Sequence, residues 1–218
     1  MTPIETRFHA GQVMLNGSLT LPAGASGVVL FAHGSGSSRF SPRNNFVARV
    51  LNDAGLGTLL FDLLTEDEEA IDLRTGRLRF DITLLSQRLV AATDWLLSQH
   101  GMSGAVIGYF GSSTGGAAAL VAAVKRPEAV RAIVCRGSRT DMAARTLTEV
   151  TAPTLLVVGE ADTDVLAWNR ESFAQLRAKK RLEVISGATH LFEEPGTLEE
   201  VARLATAWFV DHLQPRMR

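Results

Sequence analysis

The segment Gly111-Ser112-Ser113-Thr114-Gly115 sets a serine between two glycines, and Gly116, Ala117 and Ala118 continue the run of small residues. An apolar run, Ala105–Phe110, precedes it and an alanine-rich stretch follows. This is G-x-S-x-G at a predicted strand-to-helix turn. The chemistry such a turn serves is nucleophilic. A sharp bend holds the serine in a strained conformation with its hydroxyl pointing outward, and the small neighbours let strand and helix approach without clash. The helix starting there aims its first amides and the positive end of its dipole at the reacting centre. The bland alternative is a Gly/Ser-rich turn that does no chemistry or only binds phosphate; the flanking strand and helix favour the nucleophile.

A serine hydroxyl is a weak nucleophile and needs a base that is itself oriented by an acid. Five histidines are available: His9, His33, His100, His190 and His212. His190 follows the predicted strand Arg181–Ile185 and the turn Ser186-Gly187-Ala188-Thr189, in a loop just before the last predicted helix. The others fall on an edge strand, a helix end, an amphipathic helix or, for His33, in a glycine loop that it is expected to shape by hydrogen bonding. The acid is sought between Ser113 and His190. The predicted strand Pro153–Val158 runs into Gly159-Glu160-Ala161-Asp162-Thr163-Asp164, and Asp162 lies far enough into the loop to turn back toward the base. Glu160 and Asp164 are the competing candidates, Asp164 also as a helix cap.

A tetrahedral intermediate needs amide donors for its oxyanion. Thr114, directly after the nucleophile, supplies one. Ser35 is the choice for the other, with Gly36 as the alternative, from the loop Ala32-His33-Gly34-Ser35-Gly36-Ser37-Ser38. No lysine follows these glycines, so a phosphate loop of the P-loop kind lacks its main charge. No cofactor is called for. With one cysteine, Cys135, and no close histidine pair, no metal site is called for either.

These residues need a scaffold that brings strand ends together. Strands are predicted at Gly27–Ala32, Gly57–Leu63, Ala105–Phe110, Val130–Cys135, Pro153–Val158 and Arg181–Ile185, mostly continuous Val/Leu/Ile/Phe runs of the kind covered on both faces. Helices are predicted at Pro42–Ala54, Asp81–His100, Ser113–Arg126, Leu166–Ala178 and Thr197–Leu213. Ile4–Leu21 alternates instead, around Gly11 and Asn16-Gly17, and reads as an edge hairpin. The expected fold is a single α/β domain over 1–218, with a mostly parallel central sheet and helices on both faces. Ligands bind such sheets at the carboxyl ends of the strands, where the candidates fall.

Together these segments resemble the α/β-hydrolase superfamily, and within it the small dienelactone hydrolase-like hydrolases, some of which occur fused to phosphoribosyltransferase domains. The resemblance rests on Leu30–Asn45 (LFAHGSGSSRFSPRNN), Leu60–Glu69 (LFDLLTEDEE), Arg77–Asp81 (RLRFD), Gly111–Leu120 (GSSTGGAAAL), Pro153–Asp162 and Gly187–Glu194, and spans nearly the whole chain. The order Ser113, Asp162, His190 is that of the superfamily. Dienelactone hydrolases proper carry a cysteine nucleophile where this chain has Ser113, and Cys135 lies on a different strand. The resemblance implies hydrolysis of a small-molecule ester or lactone without a cofactor, and no nucleotide chemistry. Only Arg136–Ala152 separates two of the predicted strands at the point where many relatives insert a lid. That length holds no lid domain, so an open site for small or extended esters is expected. Thioester hydrolysis, acyl transfer or peptide cleavage on the same residues, and a non-catalytic binding module on the same scaffold, are the competing classes.

Composition narrows the setting. The 218 residues are 46% hydrophobic and 21% charged, with a net charge of −1. The basic residues, all arginine but for Lys125, Lys179 and Lys180, are scattered, so no field draws in nucleic acid or an anionic membrane. Met1–Ala10 has no apolar signal core and no apolar run approaches a membrane span, which makes a cytoplasmic location the default expectation. Glu66-Asp67-Glu68-Glu69 reads as a solvated loop bordering the site. Arg43, Arg136 and Arg139 fall on the catalytic rim, where they either bind a substrate carboxylate or pair with that acidic run. Pairing is the expectation.

Overall fold

The computed structural model describes residues 2–25 and 27–213. An eight-stranded sheet runs through the molecule in the order β1-β2-β4-β3-β5-β6-β7-β8. Its strands are β1 Ile4–Ala10, β2 Val13–Thr20, β3 Val28–Ala32, β4 Gly57–Phe61, β5 Ile107–Ser112, β6 Val130–Arg136, β7 Thr154–Gly159 and β8 Lys180–Ile185. The six from β3 onward are parallel, and β2 joins antiparallel to β4 with β1 folded back on it. Six helices cover the faces: α1 Pro42–Asp53, α2 Glu66–Thr75, α3 Ile82–Ser98, α4 Thr114–Lys125, α5 Thr163–Gln175 and α6 Thr197–Leu213.

Alternation along the central strands splits the core in two. In β3, Val28, Leu30 and Ala32 enter the cluster under α3 and α4, while Val29 and Phe31 enter the cluster under α1 and α6. The same division runs through Tyr109 and Phe110 on β5 and through Ile133 and Val134 on β6. Successive side chains on a strand point to opposite faces, so a strand covered on both must be apolar throughout. Fully buried side chains such as Leu30, Leu89 and Phe209 each contribute about 1.5–3 kcal/mol.

The expected edge hairpin forms, but its turn is at Gly11-Gln12, where Gly11 has φ 68°. Asn16-Gly17 lies inside β2 opposite Arg7 and Thr6. Gly17 is there for a close approach: a Cβ on it would stand 3.2 Å from the Phe61 Cβ of β4.

A second correction concerns the acidic run, which is not a loop. It forms the first turn of α2, opened by a reciprocal cap in which Thr65 Oγ1 accepts the Glu68 amide and Glu68 accepts the Thr65 amide. Four acids there are favoured by the helix dipole. Between β6 and β7 the chain makes only two short 3-10 turns, Thr140–Ala143 and Leu147–Glu149, so no lid domain is inserted at that point. Among the described residues no helix is long and apolar enough to cross a membrane.

Candidate active site

The parallel register sets Ala32 of β3, Gly111 of β5 and Cys135 of β6 side by side, so the loops leaving these strands emerge together. The strand order reverses between β3 and β5, the switch point at which open α/β sheets bind ligands. Ser113 sits in that crevice between β5 and α4, with φ 51° and ψ −122°. A non-glycine residue at positive φ costs about 1–3 kcal/mol and persists only where its surroundings enforce it. Here the Ser113 amide donates to the Arg136 carbonyl at 3.2 Å, and the Ser113 carbonyl accepts the Gly116 and Arg139 amides, each at 3.1 Å. The motif glycines allow the bend: a Cβ on Gly115 would run into the carbonyls of Ala32 and His33, and one on Gly111 into Gly116. Further buried groups brace it. Ser112 Oγ donates to Asn44 Oδ1 at 3.1 Å, Ser138 Oγ to the Gly111 carbonyl at 3.2 Å, and Asn169 Nδ2 to the Ser138 carbonyl at 2.7 Å. These supports carry no sequence motif and were not identified from the sequence.

His190 Nδ1 lies 2.6 Å from Asp162 Oδ2. With Nδ1 donating to the carboxylate, Nε2 is the nitrogen left to accept a proton. Asp162 occupies the cap position of α5, but its side chain makes no capping bond and is given over to the imidazole. The two competing acids stand elsewhere. Glu160 accepts Ser186 Oγ at 2.7 Å and the Gly187 amide at 2.9 Å, bonds that hold its carboxyl below the usual range and fix the loop ahead of His190. Asp164 is exposed in the first turn of α5. Glu194 closes the same loop by accepting the Thr189 amide and hydroxyl. Ser113 and His190 line one cleft of about 180 Å³. No hydrogen bond joins their side chains among the described residues, a looseness common in sites without substrate, where such bonds tighten on binding.

The loop after β3 lies against Ser113: a Cβ on Gly34 would stand 3.0 Å from Ser113 Cβ. Residues Gly34–Ser37 form a turn closed by the Ser37 amide on the Gly34 carbonyl at 3.2 Å, with Gly36 at φ 67°. Ser35, Gly36 and Thr114 line a second recess of about 110 Å³, walled by Leu63, Leu64, Leu73 and Leu85, on the α2 side of Ser113. His33 has the structural part expected of it. Its Nε2 accepts the Leu63 amide at 3.0 Å, so Nδ1 bears the proton donated to the Gly34 carbonyl, and burial pushes its pKa down.

The rim arginines do not pair with the acidic run. Arg43 reaches Glu193 at 3.2 Å. Arg139 pairs with Asp141 at 2.8 Å and lies over the Trp168 ring. Glu68 of the run pairs with Arg88 of α3 at 2.6 Å. Arg136 has no carboxylate partner among the described residues. Cys135 is buried beneath α4, and burial pushes its thiol up to about 12, which makes it a packing residue.

The model of the Dienelactone hydrolase family matches residues 15–212. A Mycobacterium tuberculosis protein provisionally named a phosphoribosyl transferase is 53% identical over 209 residues, 96% of this chain. The chain spans 46% of that relative's length. The crystal structure of a dienelactone hydrolase from Anabaena variabilis superposes with a TM-score of 0.95 at 56% identity, covering 98% of this chain and 100% of that one. An α/β serine hydrolase without a lid from Xanthomonas campestris shares the fold, with a TM-score of 0.78 at 16% identity and coverage of 100% and 97%.

Proposed function

The chain belongs to the dienelactone hydrolase family, and from that premise we propose that it hydrolyses small carboxylic esters or lactones through an acyl-enzyme on Ser113. The observation that carries this reading is the 2.6 Å contact between His190 Nδ1 and Asp162, with His190 lining the cleft that also holds the strained Ser113.

In this mechanism His190 Nε2 takes the Ser113 proton as Oγ attacks the substrate carbonyl. Asp162 holds the imidazole in the tautomer that makes Nε2 the acceptor and stabilises the imidazolium once formed. The amides of Thr114 and Ser35 receive the oxyanion; one such donor is worth about 10²–10³ in rate. The tetrahedral intermediate collapses as His190 returns the proton to the leaving alkoxide. Water deprotonated by His190 then attacks the acyl-enzyme carbonyl, and collapse of this second tetrahedral intermediate breaks the bond to Ser113 Oγ, which takes the proton back from His190 as the acid leaves. Both recesses beside Ser113 are small, which suits short or extended acyl groups over long buried chains. The name of the mycobacterial relative describes a protein about twice the matched length, and the groups around Ser113 suit acyl rather than phosphoribosyl transfer.

The test is Ser113→Ala. Turnover of 4-nitrophenyl acetate is expected to fall to background while circular dichroism and the melting curve stay those of the parent. Undiminished turnover in the folded variant would remove Ser113 from the mechanism.

A further inference from the structure

The recess on the α2 side of Ser113 has leucine walls, and most of its polar lining is already engaged. His33 spends both ring nitrogens on the backbone, and Asp72 holds Arg79. Two polar side chains in the same lining are not engaged. The first is Thr114, only 1% exposed, whose Oγ1 is buried and bonds to nothing among the described residues. A threonine hydroxyl inside a helix ordinarily donates to the carbonyl one turn back. Thr114 is the first residue of α4 and strand β5 runs up to Ser112, so no helical carbonyl stands one turn behind it. Folded proteins seldom leave such a group unbonded.

The second is Glu69, half-buried on α2. Its neighbours Asp62, Glu68 and Asp72 are held by Arg39, Arg88 and Arg79, whereas Glu69 has no hydrogen bond or ion pair among the described residues. Burial and the nearby Asp62, Glu66 and Asp72 push its pKa up. A carboxylate in that position lacks a donor. One recess therefore offers a hydroxyl that can donate and a carboxylate that can accept. A single alcohol group satisfies both, accepting from Thr114 and donating to Glu69.

The direction of the reaction says which part of the substrate enters. His190 returns its proton to the leaving alkoxide, so the alcohol portion of the ester lies in the cleft that His190 lines. That cleft and the recess adjoin at Gly34, Ser35 and Ser37, which line both. The acyl chain leaves the carbonyl on the other side, past Thr114 and into the recess. We propose that Thr114 Oγ1 and Glu69 form a hydroxyl-recognition site there, so that the preferred substrate is an ester of a short hydroxy acid. The assignment of acyl and alcohol sides rests on the hydrolase reading; the pairing of Thr114 with Glu69 rests on the geometry of the recess. Thr114 adjoins Ser113, which places the recognised hydroxyl within a few carbons of the carbonyl.

The test compares kcat/KM for the 4-nitrophenyl esters of butyric acid and of each enantiomer of 3-hydroxybutyric acid. A site built around a substrate hydroxyl discriminates strongly against the analogue lacking it, so the parent chain should prefer one hydroxybutyryl ester by at least about tenfold. Thr114→Val keeps the shape and the backbone amide and removes the hydroxyl; Glu69→Leu removes the acceptor. Each should bring the ratio of the two esters to within about threefold of one. Should Thr114→Val fail to fold, Glu69→Leu decides. The proposal is overturned if the parent shows no such preference, or if the folded variants retain it. It is likewise overturned if Thr114→Val slows both esters equally, which would make Oγ1 an oxyanion donor. If the parent turns over no ester, the hydrolase reading fails, and NMR titration with 3-hydroxybutyramide and butyramide decides the recess separately. Tighter binding of the hydroxylated amide, lost in both variants, upholds the site; equal binding of the two amides overturns it.

Discussion

At the scale of single residues, the acid is the assignment that geometry sharpens most. As candidates, Ser113 is legible because a nucleophilic turn would need glycines at fixed offsets, and His190 because the loop ahead of the last helix is a strand's carboxyl end. Three acids within five residues offer no such pattern, and choosing among them takes the folded loop. Asp162 stands at His190 Nδ1, Glu160 is spent on Ser186 and Gly187, and Asp164 is exposed in the first turn of α5. Asp162→Asn keeps the shape and removes the charge that fixes the tautomer. It should lower kcat/KM for 4-nitrophenyl acetate by on the order of 10²–10⁴. Asp164→Asn should stay within a few-fold of the parent, and the reverse ranking would move the acid. Arg136 was visible only as a charged rim residue. That it is buried and, among the described residues, without a carboxylate partner goes with β6 running one residue past the predicted end.

At the scale of elements, the central strands and five of the helices follow from apolar runs, helical spacing and their breakers, with boundaries shifted by a few residues. Pro42 after Ser41 starts α1 as expected, with Ser41 Oγ accepting the Asn44 amide. What escaped was α2, whose stripe of apolar residues is thin and whose first turn is wholly acidic. Its start is specified by the Thr65–Glu68 cap and its far end by Asp72, which holds Arg79 at 2.6 Å and the Leu78 amide at 2.7 Å. The sequence also offered Asn16-Gly17 as a turn, where close packing against Phe61 is the reason for glycine. Thr65→Ala removes an N-cap and should cost about 1 kcal/mol. In a chain of this size that is a fall in Tm of about 2–4 °C. Thr75→Ala, at the exposed end of the same helix, should change stability by less than about 0.5 kcal/mol, a Tm shift below about 2 °C and smaller than that of Thr65→Ala. Equal shifts in the two variants would mean that the cap does not hold α2.

At the scale of the whole molecule, function depends on contacts between segments far apart in the chain. Ser113 follows β5, the Gly34–Ser37 turn follows β3, Asp162 follows β7 and His190 follows β8, and parallel register collects all four at one sheet end. The alternation of strands and helices made that convergence readable before any coordinate. The measurement closest to the central claim treats the whole chain as reagent. Incubation with a fluorophosphonate, followed by intact mass and peptide mapping, should find one label per chain, on the peptide holding Ser113, and none on Ser113→Ala. A parent chain that stays unlabelled, or a label that maps elsewhere and persists in Ser113→Ala, would contradict an activated serine at this turn.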